Sequence, residues 1–257
     1  MASSNPAFSR NEAFGARGAV ASSQALSDND LQSMYNRPAA GAQDTERMTY
    51  EDTITKTGIA FAVLIIGAAL GWVIPILAIP GAIAGLVLGL INTFKKEPSP
   101  ALILAFAAAQ GLFVGGISVM FNGLYDGIVA QAILATLVVV GVTLALFRSG
   151  KIRASKKATK IFLIAMIGYG IFSLINFGLV AFTGADSMRS GTLGLVIGLF
   201  AVILAAYSLV LDFDFIQKGV NNRAPRKYGW SAAFGIVLTV VWLYVELLRI
   251  FAILRGE

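Results

Sequence analysis

Hydrophobic positions run along this chain in long blocks rather than in alternation. No Asp, Glu, Lys or Arg occurs in 57–94, 98–125, 127–147, 161–185, 190–211 or 228–245. A helical bilayer crossing needs roughly 20 apolar residues, so each block is a candidate span. The first is 38 residues long, about 57 Å as helix at 1.5 Å per residue, which is room for two crossings. Trp72-Val73-Ile74-Pro75 marks the turn between them. Pro80 falls just inside the next helix, where an N–H would have no helical partner anyway. The pattern predicts seven helices, near 57–74, 76–94, 101–121, 126–147, 161–182, 190–216 and 235–254. The blocks are continuously apolar and lack the ten-residue alternation of a β-barrel. The expected fold class is therefore an all-α integral membrane protein, with seven transmembrane helices in residues 51–257.

Residues 1–50 read differently. They are rich in Ala, Ser, Asn and Gly, with scattered charges of both signs. No apolar run in them is long enough for a signal-peptide core. They are expected to form a disordered cytoplasmic tail. Within it Phe8 and Phe14 stand in a polar setting, a candidate short docking motif for a partner.

Charge adds a direction to the spans. Of 257 residues, 57% are hydrophobic and 13% charged, about half the charge of a soluble domain. The net charge of +6 sits in loops and gives no reason to expect nucleic acid. Lys95 and Lys96 follow the second span. Arg148, Lys151, Arg153, Lys156, Lys157 and Lys160 follow the fourth. Lys218, Arg223, Arg226 and Lys227 follow the sixth. The remaining loops are not basic. The positive-inside rule then places the N-terminus in the cytoplasm and the C-terminus outside. The 148–160 run reads first as a topology signal, and second as a contact for anionic headgroups.

Composition also removes chemistry. There is no Cys, hence no disulfide, thiolate nucleophile or zinc–thiolate site, and no His, hence no imidazole base or switch. An enzyme is not expected, since no nucleophile–base or metal-ligand set is visible. Gly67 with Gly71, Gly81 with Gly85 and Gly89, and Gly111 with Gly115 repeat every four residues. That spacing predicts close helix contacts, not a phosphate loop. Gln110, Asn122, Gln131, Ser173, Asn176, Tyr207 and Ser208 lie inside spans and read chiefly as interhelical hydrogen-bonding groups.

Acids at membrane depth are the chemical signal. A buried carboxylate is costly unless paired, wet or protonated. Asp212 and Asp214 end one apolar run, and Glu246 lies inside the next. Asp214 has an i+4 partner in Lys218 and Glu246 an i+3 partner in Arg249. A hairpin turning near 229, with 218–234 as loop, leaves Asp212 and Glu246 offset by five residues, about 8 Å. Tilt could close that gap. Two such carboxylates would share a proton and titrate without histidine. They would also form a weak, transient oxygen-only site for Ca²⁺.

The seven-span layout, Leu211-Asp212-Phe213-Asp214 and Leu243-Tyr244-Val245-Glu246 resemble the Bax inhibitor-1 family. The 5–14 stretch and Met48-Thr49-Tyr50-Glu51-Asp52 are similar to its bacterial branch with a long polar N-terminal tail. The resemblance implies a last helix at the centre of the bundle. It also implies a membrane-embedded acid pair acting as a pH-sensitive latch on a calcium leak. Asp212 matches the first acid, and Glu246 matches the second with one extra methylene. An arginine after the second acid is implied too, a role open to Arg249 or Arg255.

Two functions follow as expectations. One is a pH-sensitive cation (Ca²⁺) leak channel of the bacterial plasma membrane, gated by Asp212 and Glu246, with Ca²⁺ as cargo and no cofactor. The other is a non-transporting regulator that engages a membrane AAA protease or another membrane protein through its tail. A proton-coupled carrier fits less well, because no paired broken helices recur in two halves.

Overall fold

A computed structural model describes residues 46–184 and 187–256. Among these residues there are seven helices long and apolar enough to cross a membrane. They are α1 (Tyr50–Val73), α2 (Ala78–Phe94), α3 (Pro100–Leu124), α4 (Ile128–Arg148), α5 (Lys156–Thr183), α6 (Gly191–Asn221) and α7 (Tyr228–Gly256). Phe8 and Phe14 lie outside the described residues.

Local chemistry sets the helix ends. Thr49 caps α1 by accepting from the Asp52 N–H at 3.1 Å, and Glu51 and Asp52 lie in the first turn, where carboxylates favour the helix dipole. Ser155 caps α5 by accepting from the Ala158 N–H at 3.2 Å. Pro75 opens a single 3-10 turn, Pro75–Leu77, that reverses the chain from α1 into α2. The connection from α6 to α7 is only 222–227, turned at Arg223 with φ +54°. The expected loop of 218–234 is therefore wrong at both ends. Helix continues past the apolar block on each side, because hydropathy marks where lipid begins, not where helix stops.

The seven helices are not packed equally. α7 touches α6, α1, α4 and α3, and half of its apolar window is buried, against 6% for α5. The last helix is thus central, as expected. Among the described residues its main backbone neighbours are these four helices, while α2 packs chiefly on α3 and α5 chiefly on α6. Large apolar side chains of α5, such as Ile164, Ile167 and Leu174, remain exposed, which suits a lipid-facing helix.

Small residues set the tightest contact. A methyl on Gly67 would lie 2.6 Å from the Ala108 carbonyl oxygen, and one on Gly111 would lie 2.2 Å from that of Leu64. α1 and α3 therefore press backbone to backbone, as the four-residue spacing predicts. We expect Gly111→Val to force these helices apart, costing about 1–3 kcal/mol or more. Gly141→Ala, with nothing within 4 Å of the new methyl, should be neutral or stabilising. Thermal denaturation in detergent, followed by size exclusion, measures both.

Candidate functional site

Buried acid appears in this bundle at two separate levels. Asp212 is part-buried on α6, where its Oδ2 accepts from the Thr239 hydroxyl of α7 at 2.8 Å. The same Thr239 oxygen lies 3.2 Å from the Ser208 hydroxyl, one turn back on α6. A methyl on Gly235 would touch Asp212 Oδ1 at 2.6 Å. Asp212 thus faces Gly235 and Thr239, neither of which is charged.

Glu246 is 2% exposed, and groups from three pieces of chain converge on it. Oε1 accepts from Arg189 Nη2 at 2.7 Å, from Trp242 Nε1 at 3.3 Å and from the Tyr169 hydroxyl. Oε2 accepts from Arg249 Nη2. Trp242, Glu246 and Arg249 share one face of α7 through i,i+4 and i,i+3 spacing. Tyr169 comes from α5 and Arg189 from the α5–α6 connection. Arg189 also donates to the Tyr169 hydroxyl and lies 5.3 Å from that ring's centroid. Tyr169 stands against Trp242, with ring centroids 5.7 Å apart.

Antiparallel register separates the two acids. Thr239 stands opposite Ser208. Seven residues on, Glu246 is level with Ala201, eleven residues from Asp212, or roughly 16 Å at helical rise. The expected Asp212–Glu246 pair is therefore not brought together, nor is a two-carboxylate Ca²⁺ site. The cause is the short 222–227 connection, which centres the hairpin near 224 rather than 229. Among the described residues no three acidic side chains gather where a metal could be held.

The secondary candidates separate as well. Asp214 pairs with Lys218 at 2.5 Å, an i,i+4 ion pair with an exposed lysine. Arg249 binds Glu246, whereas Arg255 donates to the Asp126 carbonyl at 2.6 Å, in the α3–α4 turn. Of the two arginines, Arg249 is the one joined to this acid.

The sequence profile of the Bax inhibitor 1 like family matches residues 5–256. The chain belongs to this family. It is a multi-pass membrane protein of the Bax inhibitor 1 like kind, and lipid bilayer is its surroundings. No curated protein matches it.

In this family member a further cluster ties the root of the tail to the α6–α7 turn. Lys56, 8% exposed, donates to Asp52 Oδ2 at 2.5 Å and to the Arg226 carbonyl at 2.7 Å. Arg226 Nε donates to Asp52 Oδ1 at 2.8 Å. The Met48 N–H donates to the Ala224 carbonyl and the Arg226 N–H to that of Glu46, both at 2.7 Å. Residues 46–48 thus pack on the bundle instead of belonging to the tail. Nearby, Lys227 donates to Glu97 at 2.8 Å, and this hydrogen bond holds the Glu97 carboxyl below its usual range.

Sequence reasoning missed Tyr169, Arg189, Trp242, Thr239, Lys56 and Arg226 as partners. Arg189 carried the one visible signal, a lone cation just ahead of an apolar block. We expect unfolding effects of Asp212→Asn and Glu246→Gln to add within about 0.5 kcal/mol, as independent sites do. Glu246→Gln combined with Arg189→Gln should depart from additivity by more than about 1 kcal/mol. Denaturation of the three single and two double variants in detergent checks both.

Proposed function

We propose that this protein is a pH-sensitive cation (Ca²⁺) leak of the bacterial plasma membrane, gated at Glu246. The observation that carries the reading is how α5 is held. Among the described residues its backbone packs chiefly on α6, yet its Tyr169 reaches the central helix through Glu246. Two guanidinium groups share that single carboxylate. Among the described residues the Nε atoms of Arg189 and Arg249 and the Ser173 hydroxyl are buried without partners. Donors are in excess, and Glu246 is the acceptor that holds them.

Glu246 keeps the cluster shut as the acceptor common to Tyr169, Arg189 and Arg249. The two arginines leave the cluster with net positive charge, which opposes a cation passing beside it. Loss of this acceptor leaves Arg189 and Arg249 facing each other without a counter-ion. A shift of α5 and the α5–α6 connection away from α7 then opens the leak. Asp212 acts separately, as a carboxylate that draws cations toward the basic end. Calcium as cargo rests on the family likeness. The basic loops support a cytoplasmic N-terminus and an outside C-terminus.

Flux in proteoliposomes tests the proposal, with Ca²⁺ and K⁺ across about pH 5 to 8. Wild-type flux should change across this range. Glu246→Gln should conduct more than wild type at every pH, because the charged acceptor that holds Arg189 and Arg249 is lost. Asp212→Asn should lower Ca²⁺ flux by several-fold. Flux no greater than in protein-free vesicles under all conditions would sink the leak.

One observation favours a second reading, a regulator that binds a membrane protease or other membrane protein through its tail. Residues 46–48 are bonded to the turn between α6 and α7, so a partner pulling on Phe8 or Phe14 would act on that hairpin. Deleting residues 1–45 should leave a leak intact but abolish the action of a regulator.

A further inference from the structure

α1 and α4 both pack on α7 but form no substantial contact with each other. At the basic end of the bundle the space between them is a cavity of about 790 Å³. That lies within the range of roughly 300–1,000 Å³ usual for small-molecule sites. Its walls are apolar along most of their length, including Ile54, Phe61, Leu144 and Phe213. Its polar lining is uneven in a useful way. The Thr53 and Thr57 hydroxyls are already spent on their own helix, donating to the Thr49 and Thr53 carbonyls at 2.8 Å. Among the described residues, charge in the lining comes only from Arg148 and Arg153, with no acid.

The two arginines are placed differently. Arg153 is braced, since it donates to Gln217 Oε1 at 2.8 Å and lies 5.2 Å from the Phe147 ring centroid. The Arg148 side chain makes no hydrogen bond or ion pair among the described residues. The same 148–160 segment also carries Lys151, Lys156, Lys157 and Lys160, again without an acid. An apolar slot whose charged lining is purely cationic matches one molecule of this solvent, a lipid with an acyl chain and an anionic head.

We propose that this cavity is a binding site for an anionic phospholipid, one acyl chain lying between α1 and α4 and the phosphate of its head on Arg148 and Arg153. Guanidinium suits this role because it meets phosphate oxygens with paired donors. A second cavity, about 480 Å³ between α1, α3, α4 and α7, sharpens the contrast. Among the described residues its lining holds no charge, so it can admit an acyl chain but cannot select a head.

Gly58 supplies the probe. It lines the larger cavity, and a methyl there would meet nothing within 4 Å. Gly58→Trp therefore fills the slot without striking the backbone. Native mass spectrometry of the full chain in detergent reads lipid retention directly. Phosphatidylglycerol and phosphatidylcholine with identical acyl chains are the two probes. Wild type should retain phosphatidylglycerol with about tenfold preference, and Arg148→Gln with Arg153→Gln should bring the preference close to one. Gly58→Trp should lose the preferred lipid while eluting as a folded monodisperse species. Lys156→Gln with Lys157→Gln removes equal charge outside the slot and should retain most of the preference. Equal retention of both lipids by wild type overturns the proposal. So does an equal loss in the lysine variant, which would assign the effect to diffuse surface charge. Retention of phosphatidylglycerol by a folded Gly58→Trp protein places the lipid elsewhere and overturns it too. Higher occupancy after removal of residues 1–45 would make the tail the resident of the slot, with the same result.

Discussion

A charge inside hydrocarbon dictates the company it keeps. Glu246 sits 2% exposed on the central helix, and an ion so placed must be matched by cations and donors or be neutral. The fold meets this demand from α5, from the α5–α6 connection and from α7 itself. α5 has little else that fastens it to the centre. Its apolar surface gains nothing from turning inward, since lipid is as good a solvent for it as protein. Polar attachment therefore decides where α5 stands, and one carboxylate decides the polar attachment.

The two ends of the bundle solve the charge problem differently. At the basic end Asp52 is flanked by Lys56 and Arg226, and the strand-like pairing of Arg47 with Pro225 adds backbone bonds. That arrangement joins the start of α1 to the turn before α7 and is rich in groups near water. The Glu246 cluster lies deeper and holds two cations against one anion. The first is built to stay closed. The second is poised, because loss of one negative charge reverses the sign of its internal balance from attraction to repulsion.

Helix number, type and approximate position were legible because lipid imposes a run length that composition alone reveals. The close contact of α1 with α3 was legible from glycine spacing, which is a local pattern. What failed was register. A turn placed near 229 instead of 224 shifts opposing residues along α7 by about ten positions, twice the error in the turn, and it joined Asp212 to Glu246 on paper. Tyr228, Gly229 and Trp230 look like an interfacial turn by composition, yet they form the first turn of α7. The partners of Glu246 were out of reach for another reason. Tyr169 is 77 residues away in sequence and Arg189 is 57, and no periodicity links positions that distant.

The junction of α1 and α2 bears on how the chain enters a membrane. Between Val73 and the 3-10 turn at Pro75–Leu77 stands a single residue, Ile74. The 38 uncharged residues of 57–94 run through both helices without interruption. A translocation machine reading charge meets no signal between them. Lys56 at one end and Lys95 with Lys96 at the other mark the same side. Proline at the reversal and the lack of a hydrophilic loop give the pair the character of one insertion unit, a helical hairpin with no charge for water to hold between its arms. The glycine face this pair presents, Gly67 and Gly71 of α1 with Gly81 of α2, is the surface on which α3 lies.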